Sequence, residues 1–136
     1  MQITRQTEYA IRTLLELASQ PYGEVLSARA ISRQQEIPEE FLKKTIQMLS
    51  SAGLVITQRG VQGGVKLARP ADQITIADIV VAIEGPFAIN PCLAPDYICK
   101  NRSTCPVNSV LARAQKALVN ELSKETLIDL LNNSVR

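Results

Sequence analysis

SARAISRQQEIPEEFLKKTIQMLSSAGLVITQRGVQGGVKLAR, residues 27–69, decides the fold. Ser27 can cap a short helix over about 28–36, with Ala28, Ala30 and Ile31 as its small apolar face. Pro38 followed by Glu39 and Glu40 is a helix start: proline loses no intrahelical amide bond in a first turn, and acids suit the positive end of the helix dipole. Phe41, Leu42, Thr45, Ile46 and Leu49 continue that helix until Gly53 stops it. Two short helices joined by a tight turn make a helix-turn-helix candidate, a weak signal alone because many helical domains contain one. LVITQR, GVQGG and VKLAR follow, two short strands around a glycine-rich loop. A hairpin directly behind the second helix makes the pair a winged helix-turn-helix, with 38–52 as recognition helix and the hairpin as wing.

Outward from this stretch, residues 3–19 place Ala10, Ile11, Leu14, Leu15, Leu17 and Ala18 on one helical stripe, ended by Pro21-Tyr22-Gly23. Thr75-Ile-Ala-Asp78 resembles a capping box, with Asp in place of Glu or Gln, and opens a helix through about Ile83. From 85 to 105 the periodicity dissolves among Pro86, Pro91, Pro95 and all three cysteines. A loop of about twenty residues in a compact domain is usually functional or mobile. Pro106 then starts a long helix with Val107, Leu111, Ala114, Leu118 and Leu122 at spacings of four, three, four and four. Ser123 breaks or caps it, and Leu127, Leu130 and Leu131 mark a short final helix. The long stripe can pack back on the domain or meet a second copy. Helix-turn-helix proteins commonly read two half-sites through twofold symmetry, so these five residues are the expected dimerisation face. The expected architecture is mainly α with a small β-hairpin, in three parts. They are a winged helix-turn-helix at 1–84, a cysteine-bearing loop at 85–105, and a dimerisation helix with a C-terminal helix at 106–136.

The 136 residues are 46% apolar and 21% charged, enough to bury a core and ordinary for a globular chain. Net charge is only +2, but residues 1–69 hold nine Lys/Arg against six acids, and residues 70–136 six against seven. The stretch 41–71 contains no acid and carries Lys43, Lys44, Arg59, Lys66 and Arg69. That is the footprint of a polyanion site, a plain basic face being the alternative. The chain has no histidine. Ser-His-Asp and Cys-His catalysis, imidazole acid–base chemistry and histidine zinc sites are thereby removed. No Walker or dinucleotide glycine loop is present, so a non-enzymatic role is expected. No apolar run approaches the roughly 20 residues that cross a bilayer. MQITRQTEY reads as neither signal nor transit peptide, so a cytoplasmic location without a membrane partner is expected.

The expected partner is double-stranded DNA. On the recognition helix Glu39, Glu40, Lys43 and Lys44 face base edges or phosphates. The lysines suit phosphate or guanine, and a glutamate can accept from cytosine N4. The wing offers Gln58, Arg59, Gln62, Gly63 and Gly64. Arg59 is placed to enter a minor groove, and the glycines let backbone N–H groups approach phosphates. Ser27 and Arg29, opening the first helix of the pair, complete the set.

Cys92, Cys99 and Cys105 are separated by six and five residues within the one loop. Three readings stand: an iron–sulfur cluster with a fourth ligand from elsewhere, a zinc site, or three unremarkable thiols. An odd number argues against a disulfide framework, and tight C-x-x-C zinc knuckles are absent. Cys105 sits at the mouth of a helix, where dipole and free N–H groups favour a thiolate.

With these pieces placed, the chain resembles the IscR/NsrR/RirA-type family of bacterial winged-helix regulators over nearly its whole length. The resemblance is carried by ITRQTEYAIRTLLELA, IPEEFLKKTIQMLSSAGLV, RGVQGGVKLAR, ITIADIVVAIEG and the cysteine loop. It implies a homodimeric regulator, a repressor, on a palindromic operator. It also implies a 2Fe–2S or 4Fe–4S cluster on Cys92, Cys99 and Cys105 that senses iron, iron–sulfur status, nitric oxide or redox state. IscR-like members place a histidine ligand three residues after the third cysteine, where this chain has Asn108. NsrR-like members use an acid in the first helix of the partner subunit, and Glu8 matches that place. Glu8 is therefore the candidate fourth ligand, a solvated acid at a helix start being the alternative. The gap between Cys92 and Cys99 is slightly wide for the NsrR pattern. Rival readings are a redox enzyme or electron carrier using the cluster, a cluster-free regulator whose cysteines switch as thiols, and a protein-interaction module.

Overall fold

The structure, a computed structural model, describes residues 2–98 and 105–134, so Cys99 lies outside the described residues. In chain order it runs α1 (Arg5–Ala18), α2 (Ala28–Gln35), α3 (Glu39–Ser51), β1 (Val55–Gln58), β2 (Gly64–Leu67), α4 (Ile76–Glu84), α5 (Pro106–Lys124) and α6 (Leu127–Ser134). This is the mainly helical winged helix-turn-helix with a long C-terminal helix that the sequence predicts.

Local chemistry sets most boundaries. The Ser27 hydroxyl accepts the Ala30 amide at 3.1 Å and starts α2. The Thr75–Asp78 capping box closes both ways, at 3.0 and 3.1 Å. Gly53, at φ +77°, ends α3. Its amide reaches Ser50 O and that of Leu54 reaches Leu49 O, both at 3.0 Å, so the last carbonyls of α3 are satisfied. The turn between α2 and α3 uses no glycine. Glu36 takes the left-handed conformation there, at φ 54°, at a cost of roughly 1–2 kcal/mol for an L-residue. Two bonds hold it: the Ile37 amide on Ser32 O at 3.0 Å, and the Ser32 hydroxyl on Ile37 O at 2.6 Å.

The core lies where α1, α3, α4 and the wing strands meet, with Leu14, Leu42, Leu49, Val65 and Ile79 essentially sealed from solvent. Thr13 and Thr45 are buried with them and return their hydroxyls to the carbonyls of Tyr9 and Phe41, one turn back, at 2.7 and 2.8 Å. β1 and β2 pair antiparallel, Val55 opposite Leu67 and Gln58 opposite Gly64. Leu26 adds a bridge to Val65, with reciprocal N–H···O bonds of 2.8 and 2.9 Å, and so fixes β2 to the segment that leads into α2.

α5 runs through Ser123 to Lys124, so the helix break falls one step later than the sequence suggests. The cap that follows is Thr126, whose hydroxyl takes the Asp129 amide while Asp129 takes the Thr126 amide at 2.9 Å. α6 then returns to the body. Leu127 is fully buried in the core, its amide bonds Ile74 O, and the Ile76 amide bonds Glu125 O, both at 3.0 Å. None of the residues of α5 is buried. Asn108, Leu111, Gln115, Val119 and Leu122 are half-buried, while Val107 and Val110 stand 60% and 53% exposed on the outer side.

One long-range cluster joins α1 to α4. The Glu84 carboxylate accepts from the Thr4 amide at 3.1 Å, the Thr4 hydroxyl at 2.5 Å, and the Thr7 hydroxyl. Partial burial pushes the Glu84 carboxyl up, but the threonine donors outweigh it and hold it below the usual carboxylate range. The end of α4, where the cysteine loop begins, is thus tied to the start of the helix that carries Glu8.

Candidate nucleic-acid interface and cysteine site

α3 buries Leu42, Thr45, Ile46 and Leu49, and this periodicity turns Lys43 and Lys44 to solvent. Glu39 and Glu40 occupy its exposed first turn. Glu39 is already paired, lying 3.7 Å from Arg29 Nε across the α2–α3 gap, so these two residues form an ion pair rather than two independent contacts. The Ser27 hydroxyl is engaged with its own helix cap. In the wing Gln58, Arg59 and Gln62 are exposed, and Val61 stands fully out at the tip. Arg69 does not join them. Its guanidinium lies 4.0 Å from Asp78, and its Nε is buried without a hydrogen-bond partner, so the basic stretch of the sequence divides between two faces.

The wing glycines have a structural role that their sequence context conceals. The Gly63 amide donates to Gly60 O at 3.0 Å inside the turn. A β-carbon on Gly63 would fall 2.3 Å from Gln58 O, and one on Gly64 would fall 2.2 Å from Leu26 O. Both glycines stand where another stretch of backbone passes.

Behind the recognition helix, α1 presses on the helix-turn-helix turn. Arg12 Nη2 donates to Gln35 O, Arg12 Nε reaches Gln35 Oε1 at 3.4 Å, and Gln35 Nε2 donates to Glu16 at 2.6 Å. Tyr9 of α1 meets Phe41 of α3 at 6.3 Å between ring centroids. Glu8 is largely exposed one turn before Arg12, with 3.9 Å between carboxylate and guanidinium. Composition and periodicity did not point to this cluster; the exposed polar side of α1 is its only trace in the sequence.

Cys105 is the residue before α5, and Cys92 lies in a 3-10 turn, Pro91–Leu93; both are half-buried. Asn108, in the first turn of α5 that follows Cys105, donates through Nδ2 to Cys92 Sγ at 3.3 Å. Asn90 Nδ2 donates to the same sulfur at 2.9 Å. Among the described residues no three side chains of metal-ligating type converge, Cys99 being outside them. Glu8, on α1, is not part of this group within one chain. Cysteine sulfur is a soft donor of the type that holds a soft metal or an iron–sulfur cluster, and amide N–H groups such as those on Cys92 are suited to a metal-bound sulfur. The donor set therefore fits such a group.

Among the described residues no helix is long and apolar enough to cross a membrane. A family profile described as "Rrf2: Iron-dependent Transcriptional regulator" matches residues 3–133. Protein aau3 of Rhizobium meliloti (strain 1021) is 41% identical over 133 residues, spanning 96% of this chain and 85% of that protein. Among solved structures the chain is similar to CymR (YrzC), the global cysteine regulator of B. subtilis, with TM-score 0.77 and 27% identity over 98% of both chains. It is equally similar to T. potens IscR, with TM-score 0.76 and 27% identity over 98% of this chain and 88% of that one. A family match over almost the whole length thus coincides with a winged body that exposes a basic helix and wing, and the chain belongs to the Rrf2 family of DNA-binding transcription regulators.

Proposed function

We propose that this regulator is a homodimeric repressor of a palindromic operator whose affinity is set by an iron–sulfur cluster. Its working parts are a DNA-binding body at 1–84, a sensor loop at 85–105, and a dimerising segment at 106–136. What supports the sensor reading is that Asn90 and Asn108 both donate to Cys92 Sγ, Asn108 from the first turn of the helix that Cys105 opens. Cys92, Cys99 and Cys105 would hold the cluster, 2Fe–2S or 4Fe–4S, and Glu8 of a second copy would complete it. Such a group supplies a reversible, redox- and iron-sensitive tie. This chain's own residues do the rest. Glu84 fastens the start of the loop to α1, and Arg12 and Tyr9 connect α1 to the turn and start of α3. A change of tension on Glu8 then reaches the recognition helix as a difference in operator affinity. The outer side of α5, with Val107, Ala114 and Leu118, supports the dimer face, while Leu111 and Leu122 lean inward.

For DNA, Lys43 and Lys44 take phosphate or guanine, and Arg59 takes a minor groove with Gln58 and Gln62 beside it. Gly63 and Gly64 shape the wing, and Ser27, Arg29, Glu39 and Glu40 frame the helix entry. Arg59→Ala is expected to weaken operator binding by about 1–3 kcal/mol, read by fluorescence anisotropy at fixed salt. Affinity unchanged from that of the parent across several DNA sequences would take the wing out of the interface.

The decisive experiment is iron and sulfide analysis with an absorbance spectrum on anaerobically purified protein, alongside operator binding with and without the cluster. Glu8→Ala is expected to alter that spectrum and speed cluster loss in air; an identical spectrum and lifetime would remove Glu8 as a ligand. The equal likeness to CymR, a cysteine regulator, supports a second reading in which the thiols switch without a cluster. Protein that holds no iron and sulfide, yet binds its operator differently when oxidised, selects it.

A further inference from the structure

The amides around Cys92 belong neither to the core nor to the DNA-reading face. Asn90 Nδ2 donates to Cys92 Sγ at 2.9 Å and Asn108 Nδ2 donates to it at 3.3 Å, from the loop and from α5 respectively. Seven residues beyond Asn108, on the same face of the helix, Gln115 Oε1 accepts the Ile89 amide at 3.0 Å. The first half of the loop is therefore laid along α5 and held at two points. Between them the Leu93 amide bonds Asn90 O at 2.9 Å and the Ala94 amide bonds Pro91 O at 3.1 Å, closing the turn that presents the sulfur.

An amide N–H aimed at sulfur stabilises negative charge there. Hydrogen bonds to cluster sulfurs are among the few levers by which a protein sets a cluster's potential. The same geometry argues against Asn108 as a ligand. Its nitrogen faces the sulfur, which leaves the carbonyl oxygen on the far side of the amide, and a neutral oxygen is a poor donor at a soft thiolate site.

We propose that Asn108 is a positioning residue of the cysteine site. With Asn90 it orients Cys92 and stabilises its thiolate by N–H···S bonds, so α5 tunes the group held there without supplying a ligand. This deepens the cluster reading and rests on it. The test uses the full-length protein, anaerobically reconstituted, as parent, Asn108→Ala and Asn108→Asp. Iron and sulfide content, the reduction midpoint and amide hydrogen exchange of 88–94 are measured on each. Both variants are expected to load iron to the parent level and to show a more negative midpoint, with aspartate, which adds charge as well as losing the donor, shifted further. Exchange of the Leu93 and Ala94 amides rises in both. A midpoint unchanged in Asn108→Ala, even with faster exchange, reduces Asn108 to a packing residue and overturns the proposal. Iron content falling as it does on losing a cysteine makes Asn108 a ligand and overturns it as well. A parent protein that takes up no iron and sulfide defeats the cluster reading itself, and the proposal with it.

Discussion

Gly64→Ala is expected to destabilise the protein by on the order of 3 kcal/mol, because the added methyl has no space and its neighbours cannot yield. Its β-carbon would lie 2.2 Å from Leu26 O, 2.7 Å from Leu26 C and 3.0 Å from Ser27 Cα, all backbone atoms. Relief requires β2 to part from Leu26, and the two bonds of the Leu26–Val65 bridge go with it. Each is worth about 0.5–1.5 kcal/mol net, and overpacking of this kind costs about 1–3 kcal/mol. For a chain of this length that corresponds to a fall in Tm of about 10 °C, read by a thermal melt monitored by circular dichroism. Gln62→Ala, at an exposed wing position, is the control and leaves Tm unchanged. A Gly64→Ala protein that melts with its parent would mean that the Leu26 segment is not seated against the wing in solution.

Cys92→Ala has the largest expected effect on the sensor. With the cluster held by Cys92, Cys99 and Cys105 as proposed, removing one of the three sulfurs is expected to leave less than about a tenth of the iron of the parent after anaerobic reconstitution. Operator affinity should then be the same with and without air. The fold is expected to survive, since Cys92 is half-buried in a 3-10 turn outside the core cluster. A Tm close to that of the parent separates loss of the cluster from loss of structure. Retained iron together with retained air sensitivity would show that Cys92 is no ligand, leaving Cys99 and Cys105 to be explained otherwise.

What the sequence disclosed was largely what is local. Ser27, Thr75 with Asp78, and Gly53 mark helix ends through bonds that span only a few residues, and each lies where its pattern places it. Thr126 and Asp129 repeat the spacing of Thr75 and Asp78, and α6 begins at Leu127, the first residue of the apolar pattern that marks the final helix. Glu36 was illegible because a left-handed turn normally announces itself by glycine or asparagine, and here two bonds between Ser32 and Ile37 hold a glutamate in it. The tie of Glu84 to Thr4 and Thr7 spans about eighty positions and leaves no periodic mark. The candidate site was legible as residue types: basic and exposed on α3 and the wing, thiols on one loop. Its pairings were not. That Arg29 is paired with Glu39, that Arg69 turns to Asp78, and that Asn108 reaches Cys92 all depend on which helix faces lie together.

The return of α6 has a thermodynamic meaning for how such a regulator can change its signal. Segment 85–125 leaves the body at one end of α4, where Glu84 is fastened, and rejoins at the other, where Glu125 and Leu127 bond Ile76 and Ile74. Its two anchors are about 13 Å apart, the length of a nine-residue helix. Closing a loop between fixed points costs only about 0.6 kcal/mol more for each doubling of its length. The exposed stretches of this excursion can therefore change in length at small expense to the folding free energy of the body, whereas the half-buried face of α5, packed on α4, cannot.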